Sequence, residues 1–251
     1  MGVCMKIGLF IPCFMNELYP EASMATLKVL ENLGLDVEYP LEQTCCGQAQ
    51  ANTGCAKEAG VLAERFFKIF KDYDYIVAPS GSCVSMVRHN YAQFLEGRDG
   101  FERMRSHTYE LVEFLHDVIK PTSMNATFKH KVGIHNSCHA HRELGMASMS
   151  EKNVPEFSKI KNLLDKVEGI SYSELTRKDE CCGFGGTFAI TEEAMSVAMG
   201  RARLQDHLDA GSEYITGVDM SCLMHMQGVI DREKLPLKTI YIAQILAGDV
   251  K

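Results

Sequence analysis

The residues best able to do chemistry in this chain are its cysteines, ten of them in 251 positions. Eight fall into two sets of four: Cys13, Cys45, Cys46 and Cys83, then Cys138, Cys181, Cys182 and Cys222. Four thiolates suit either tetrahedral zinc or an iron–sulfur cluster. The adjacent pair in each set favours the cluster. Neighbouring Cα atoms lie ~3.8 Å apart and their side chains diverge, so two adjacent sulfurs reach different metal atoms more easily than one ion. Zinc motifs usually separate ligands by ~2–4 residues. Gly47 follows the first pair; Gly183, Gly185 and Gly186 follow the second. Glycines there let backbone N–H groups approach an anionic cofactor, so these four are candidate cofactor-binding positions. The first loop, with fewer glycines, predicts two sites that are not equivalent. Cys4 and Cys55 have no counterparts and are read as packing residues or adventitious thiols.

The elements that must position these sulfurs repeat with them. Lys6–Cys13 (KIGLFIPC) matches Lys131–Cys138 (KVGIHNSC), Cys45-Cys46-Gly47 matches Cys181-Cys182-Gly183, and Tyr75–Cys83 matches Tyr214–Cys222. Three blocks in the same order indicate a duplicated chain. The expected halves are 1–120 and 130–251, joined by a linker over Lys120–Lys131. Lys6–Pro12, Tyr75–Ala78, Lys131–Asn136 and Tyr214–Thr216 read as strands, the first of them extending back towards Met1. Leu18–Leu33, Glu58–Phe70, Val154–Val167 and Thr191–Leu208 read as helices, the last with Thr191 as its N-cap. Amphipathic stretches at Glu110–Ile119 and Tyr241–Gly248 close the halves. This order predicts an α/β fold of two pseudo-symmetric Rossmann-like βα halves with parallel sheets. Ligands of such sheets sit beyond the carboxyl ends of the strands, where Cys13, Cys83, Cys138 and Cys222 are expected.

Composition narrows the function class. There are 26 basic and 33 acidic residues, a net charge of −7, which argues against nucleic acid as a partner. No apolar run approaches the ~18 residues of a membrane span, and no signal peptide is legible, so the chain is expected in the cytoplasm. In that reducing compartment many thiols point to metal or catalysis rather than disulfides.

The twin blocks resemble the cysteine-rich CCG family of iron–sulfur proteins. Its members include the B subunit of heterodisulfide reductase and the iron–sulfur subunits of glycolate and anaerobic glycerol-3-phosphate oxidation. The segments Thr44–Gln48, Ala78–Cys83, Cys181–Ala189 and Asp219–His225 are most similar to the lactate-utilization iron–sulfur protein A group. The resemblance spans essentially the whole chain. It implies two halves that each carry a cluster, most simply two [4Fe-4S] clusters with zinc as a substitute. It also implies an electron-transfer subunit of a complex oxidising L-lactate to pyruvate, with partner subunits that include a ferredoxin-like iron–sulfur protein. One feature departs from the wider family: the heterodisulfide reductase relatives end each motif Cys-x-x-Cys, and the first of those cysteines is here Ser80 or Asp219. Five-cysteine ligation and disulfide-reducing chemistry lose support accordingly.

His135, His139, His141 and Arg142 surround Cys138, and His225 follows Cys222. They are read as caps, charge shielding or packing, with a proton or anion role as the alternative. No Gly-x-Gly-x-x-Gly follows a strand and no P-loop is present. Lactate oxidation removes a hydride equivalent, which calls for an organic cofactor, so the chain reads as a subunit of an oxidoreductase rather than a self-sufficient enzyme. The alternatives are a cluster-based thiol–disulfide reductase and a zinc-stabilised scaffold subunit.

Overall fold

The computed structural model describes residues 5–248. Met1, the start of the expected first strand, and Cys4 lie outside them. The chain divides into two compact units at Ile119/Lys120, and each is an α/β unit on a four-stranded parallel sheet. In the first, β1 (Ile7–Leu9), β2 (Val37–Glu38), β3 (Tyr75–Ala78) and β4 (Thr108–Glu110) lie in the order β2-β1-β3-β4. In the second, β5 (Lys131–Ile134), β6 (Ser171–Tyr172), β7 (Tyr214–Thr216) and β8 (Lys238–Thr239) lie in the order β6-β5-β7-β8. The same order and the same parallel sense in both bear out the expected pair of Rossmann-like halves. The central strands are short and almost wholly buried, as parallel strands covered on both faces by crossover helices must be.

Several expected helices are shorter. Leu18–Leu33 is two helices, Cys13–Leu18 and Pro20–Asn32. Pro20 has no N–H to continue a helix and suits the first position of a new one. Ala22, Ala25 and Val29 face the core, but Leu18 is 61% exposed. Over Val154–Val167 only Lys159–Leu164 is helical. Pro155 disfavours the helical region for Val154, and Ser158 starts the helix by accepting from the Lys161 N–H at 3.2 Å. Phe157 is left 40% exposed. Thr191 is not an N-cap: it ends the short helix Phe188–Thr191, its hydroxyl donating to the Thr187 carbonyl at 3.4 Å, and Glu193–Asp209 follows. The linker is also no free tether. Met124, Ala126 and Phe128 are buried, Thr127 bridges Glu168 in parallel, and Phe128 packs edge-on against Tyr214 at 5.2 Å.

The amphipathic closing stretches are capped helical turns. Glu110 accepts from the Val112 N–H at 2.6 Å while Glu113 reaches back to the Glu110 N–H. Gln244 likewise accepts from the Tyr241 N–H at 3.1 Å, and Gly248 ends that helix at φ 68°.

Candidate metal centres

In the first unit Cys13 opens the helix that follows β1, and Cys83 lies in Gly81–Ser85, the helix that follows β3. Cys45 and Cys46 sit just before the helix Gln48–Asn52. The four thiols touch in sequence: Cys13 with Cys45, Cys45 with Cys46, and Cys46 with Cys83 at 3.4 Å. Gly47, left-handed at φ 85°, turns its N–H onto the Cys45 sulfur at 3.3 Å. The second unit repeats the arrangement. Cys138 opens the helix Cys138–Arg142 after β5, and Cys222 lies in Met220–Glu233 after β7. Cys138 touches Cys181, Cys181 touches Cys182, and Cys182 touches Cys222. Gly183, at φ 90°, gives its N–H to the Cys181 sulfur at 3.3 Å. Gly185 and Gly186 form a left-handed turn that leads into Phe188–Thr191.

Four thiols so crowded do not ionise alike. Hydrogen bonds from Cys13 and then Cys46 hold Cys45 down to about 2, with the Gly47 N–H assisting. Bonds from Cys138 and then Cys182 do the same for Cys181. The donors move the other way: Cys13, Cys46, Cys138 and Cys182 are all pushed up, first by the proton each shares with its neighbour and then by burial and like charge. Each quartet is therefore a preassembled set of thiols in which Cys45 or Cys181 gives up its proton most readily. Metal binding expels such protons, and a concave set of sulfurs met by backbone N–H groups fits a multinuclear anionic cofactor. Cys55 is exposed and outside both quartets.

The positions of the missing fifth cysteines are engaged otherwise. Ser80 caps Gly81–Ser85, its hydroxyl accepting from the Cys83 N–H at 3.2 Å. Asp219 is the N-cap of Met220–Glu233 and accepts from the Ser137 hydroxyl at 2.6 Å.

What stands behind the sulfurs differs between the units. Gly47 meets Ala59 and Leu62, and Gly183 meets Ser196 and Met199 in the same way, so Ala56–Phe70 and Glu193–Asp209 correspond with Phe66 opposite Arg203 and Phe70 opposite His207. In the first unit Phe10, Phe66 and Phe70 pack together with centroids 4.6–5.8 Å apart. Tyr91 joins them and donates to the Cys46 carbonyl at 2.9 Å. In the second, Arg203 is wholly buried. It donates to Asp206 at 3.0 Å and to the Arg177 carbonyl, and lies 3.1 Å from His207 Nε2. Burial, then the Arg203 charge, lowers His207 to about 2 and His135 to about 3.

The histidines around Cys138 divide. His141 pairs with Asp179 at 2.9 Å and Arg142 with Glu151 at 3.1 Å, which are structural roles. His225 lies 3.2 Å from the Ser196 carbonyl and packs on Phe184. His135 alone among them turns to the sulfurs: one of its ring nitrogens and the sulfurs of Cys182 and Cys222 all lie within 4.8 Å of one another. The signal for this was in the repeat, where His135 stands opposite Phe10. The Arg203–Asp206–His207 set was likewise missed, because it lies on a helix outside the matched blocks.

Comparison with known proteins matches the division into two units. The cysteine-rich domain family CCG matches residues 7–88 and 132–227, one match per unit. "Lactate utilization protein A" of Oceanobacillus iheyensis is 37% identical over 246 residues, covering 96% of each chain. The protein of that name from an Exiguobacterium strain is 36% identical and covers 98% of each. A hypothetical protein from Helicobacter pylori shares the fold with a TM-score of 0.64 at 10% identity, over the whole of this chain and half of its own. No helix among the described residues is long and apolar enough to cross a membrane.

Proposed function

Since this chain belongs to the cysteine-rich CCG domain family, within it among the lactate utilization A proteins, we propose that it is the iron–sulfur electron-transfer subunit of a complex that oxidises L-lactate to pyruvate. The observation that supports this most directly is the pair of matching thiol quartets, each drawn from three segments of a duplicated unit. In this reading Cys13, Cys45, Cys46 and Cys83 hold one [4Fe-4S] cluster, and Cys138, Cys181, Cys182 and Cys222 hold the other. A bound cluster supplies one-electron carriage and no hydride chemistry. The residues of the chain do the rest. The quartets present sulfur with its protons already unevenly shared, and the Gly47 and Gly183 N–H groups offset negative charge on sulfur. Gly185 and Gly186 keep the second loop free of side-chain bulk. Lactate itself is then handled elsewhere in the complex, with a ferredoxin-like partner passing electrons on.

Ser80, held as a helix cap, and Asp219, bonded to the Ser137 hydroxyl, weigh against the disulfide-reductase alternative, which calls for a fifth thiolate in each half. The test is anaerobic purification with iron, sulfide and zinc quantified beside electron paramagnetic resonance. About eight iron and eight sulfide per chain are expected for two four-iron clusters. Stoichiometric zinc without sulfide after anaerobic isolation would establish the scaffold alternative instead.

A further inference from the structure

We propose that His135 is a nitrogen ligand of the second metal centre, beside Cys182 and Cys222, whereas the first centre is bound through sulfur alone. The proposal rests on the metal-centre reading above and adds a donor to it. His135 is 1% exposed, and neither ring nitrogen has a hydrogen-bond partner. A buried polar ring left wholly unsatisfied is costly, so its retention calls for a partner that the protein itself does not supply. One nitrogen is directed into the sulfur site: it and the two sulfurs lie within 4.8 Å of one another.

The surroundings agree. His135 immediately follows β5, and its backbone is fixed by the bond from its N–H to the Thr216 carbonyl at 2.8 Å. Gly217 lets the chain pass there, since a Cβ on it would lie 2.9 Å from the His135 carbonyl oxygen. In the first unit the corresponding residue is Phe10, packed among Phe66 and Phe70, and among the described residues no histidine joins the sulfurs there. An added nitrogen donor changes the electron density at the metal it meets, so the reduction potential of the second centre is expected to depend on His135.

The experiment uses anaerobic full-length protein carrying 15N-histidine, reduced and examined by pulsed hyperfine spectroscopy. A strongly coupled histidine nitrogen is expected. It should persist in Cys46→Ser and in His225→Gln, and disappear in His135→Asn and His135→Phe at unchanged circular dichroism. The potential of the second centre should shift in the two His135 variants only. Absence of a coupled nitrogen in the wild-type protein overturns the proposal whether or not any variant folds. So does a coupling that survives in a His135 variant, or one lost in His225→Gln. If the protein yields no iron or sulfide, the cluster reading fails, and cobalt(II) added to the metal-free chain still decides the role of His135. Visible bands of a mixed nitrogen–sulfur site that change in His135→Asn support it; identical spectra refute it.

Discussion

Gly47 and Gly183 perform one task at two levels of tolerance. Both are left-handed and both aim an N–H at a cysteine sulfur. A Cβ on Gly47 would find its nearest neighbours at 3.4 Å, whereas on Gly183 it would lie 2.5 Å from the Ser196 carbonyl oxygen and 2.8 Å from the Met199 Cβ. Gly47→Ala should therefore cost about 1–2 kcal/mol, the price of a left-handed alanine. Gly183→Ala should cost a further ~1–3 kcal/mol for the overlap. Denaturant unfolding of the two variants checks this, and equal losses would contradict it. At this scale the sequence was informative about the sulfurs, since cysteine types and their spacing reveal the quartets. It marked His135 only through the repeat, where that residue stands opposite Phe10; by type alone, one histidine among three looks the same whether its ring faces a carboxylate or a sulfur.

The helices behind the two sheets have diverged from an aromatic to a charged interior. Phe66→Ala should destabilise the first unit by about 3–5 kcal/mol, the usual cost of a buried ring, read from its unfolding transition. The second unit carries a pH dependence of its own. His207 is held to about 2 by burial first and by Arg203 next, with His135 adding to the effect and Asp206 opposing it. Above its ordinary value of about 6.5 the ring is neutral folded or unfolded and contributes nothing. Below it the unfolded chain takes up a proton that the folded chain refuses, so stability falls with pH by about 1.4 kcal/mol per unit, or ~2 kcal/mol between 6.5 and 5. Unfolding at pH 7 and 5 measures this, and His207→Phe should remove that part of the slope. The same elements show what could be read in advance. β3 and β7 announced themselves as apolar runs after aromatics, but β2, β6 and β8 are two residues each, too short for any periodicity to register. Pro20 and Pro155 overrode helical patterns that apolar spacing alone supported.

Across the whole molecule, two units with separate quartets should lose metal separately. Cys46→Ser and Cys182→Ser are each expected to retain about half the iron and sulfide of the parent after anaerobic isolation. Loss of everything in either variant would mean that one centre depends on the other. The twofold pattern also sets an order of birth. Each quartet is gathered from three distant stretches by a parallel sheet, so no fragment of a unit can grip metal before its third stretch exists. The first set is complete in the chain at Cys83, and the second waits for Cys222, 139 residues after it. At roughly 5–20 residues per second of synthesis, the leading half stands on the ribosome for about 7–28 s with all its thiols made and its twin unfinished. A nascent chain of this design asks for reducing care early, and under the proposed function for cofactor delivery twice, in the direction of translation.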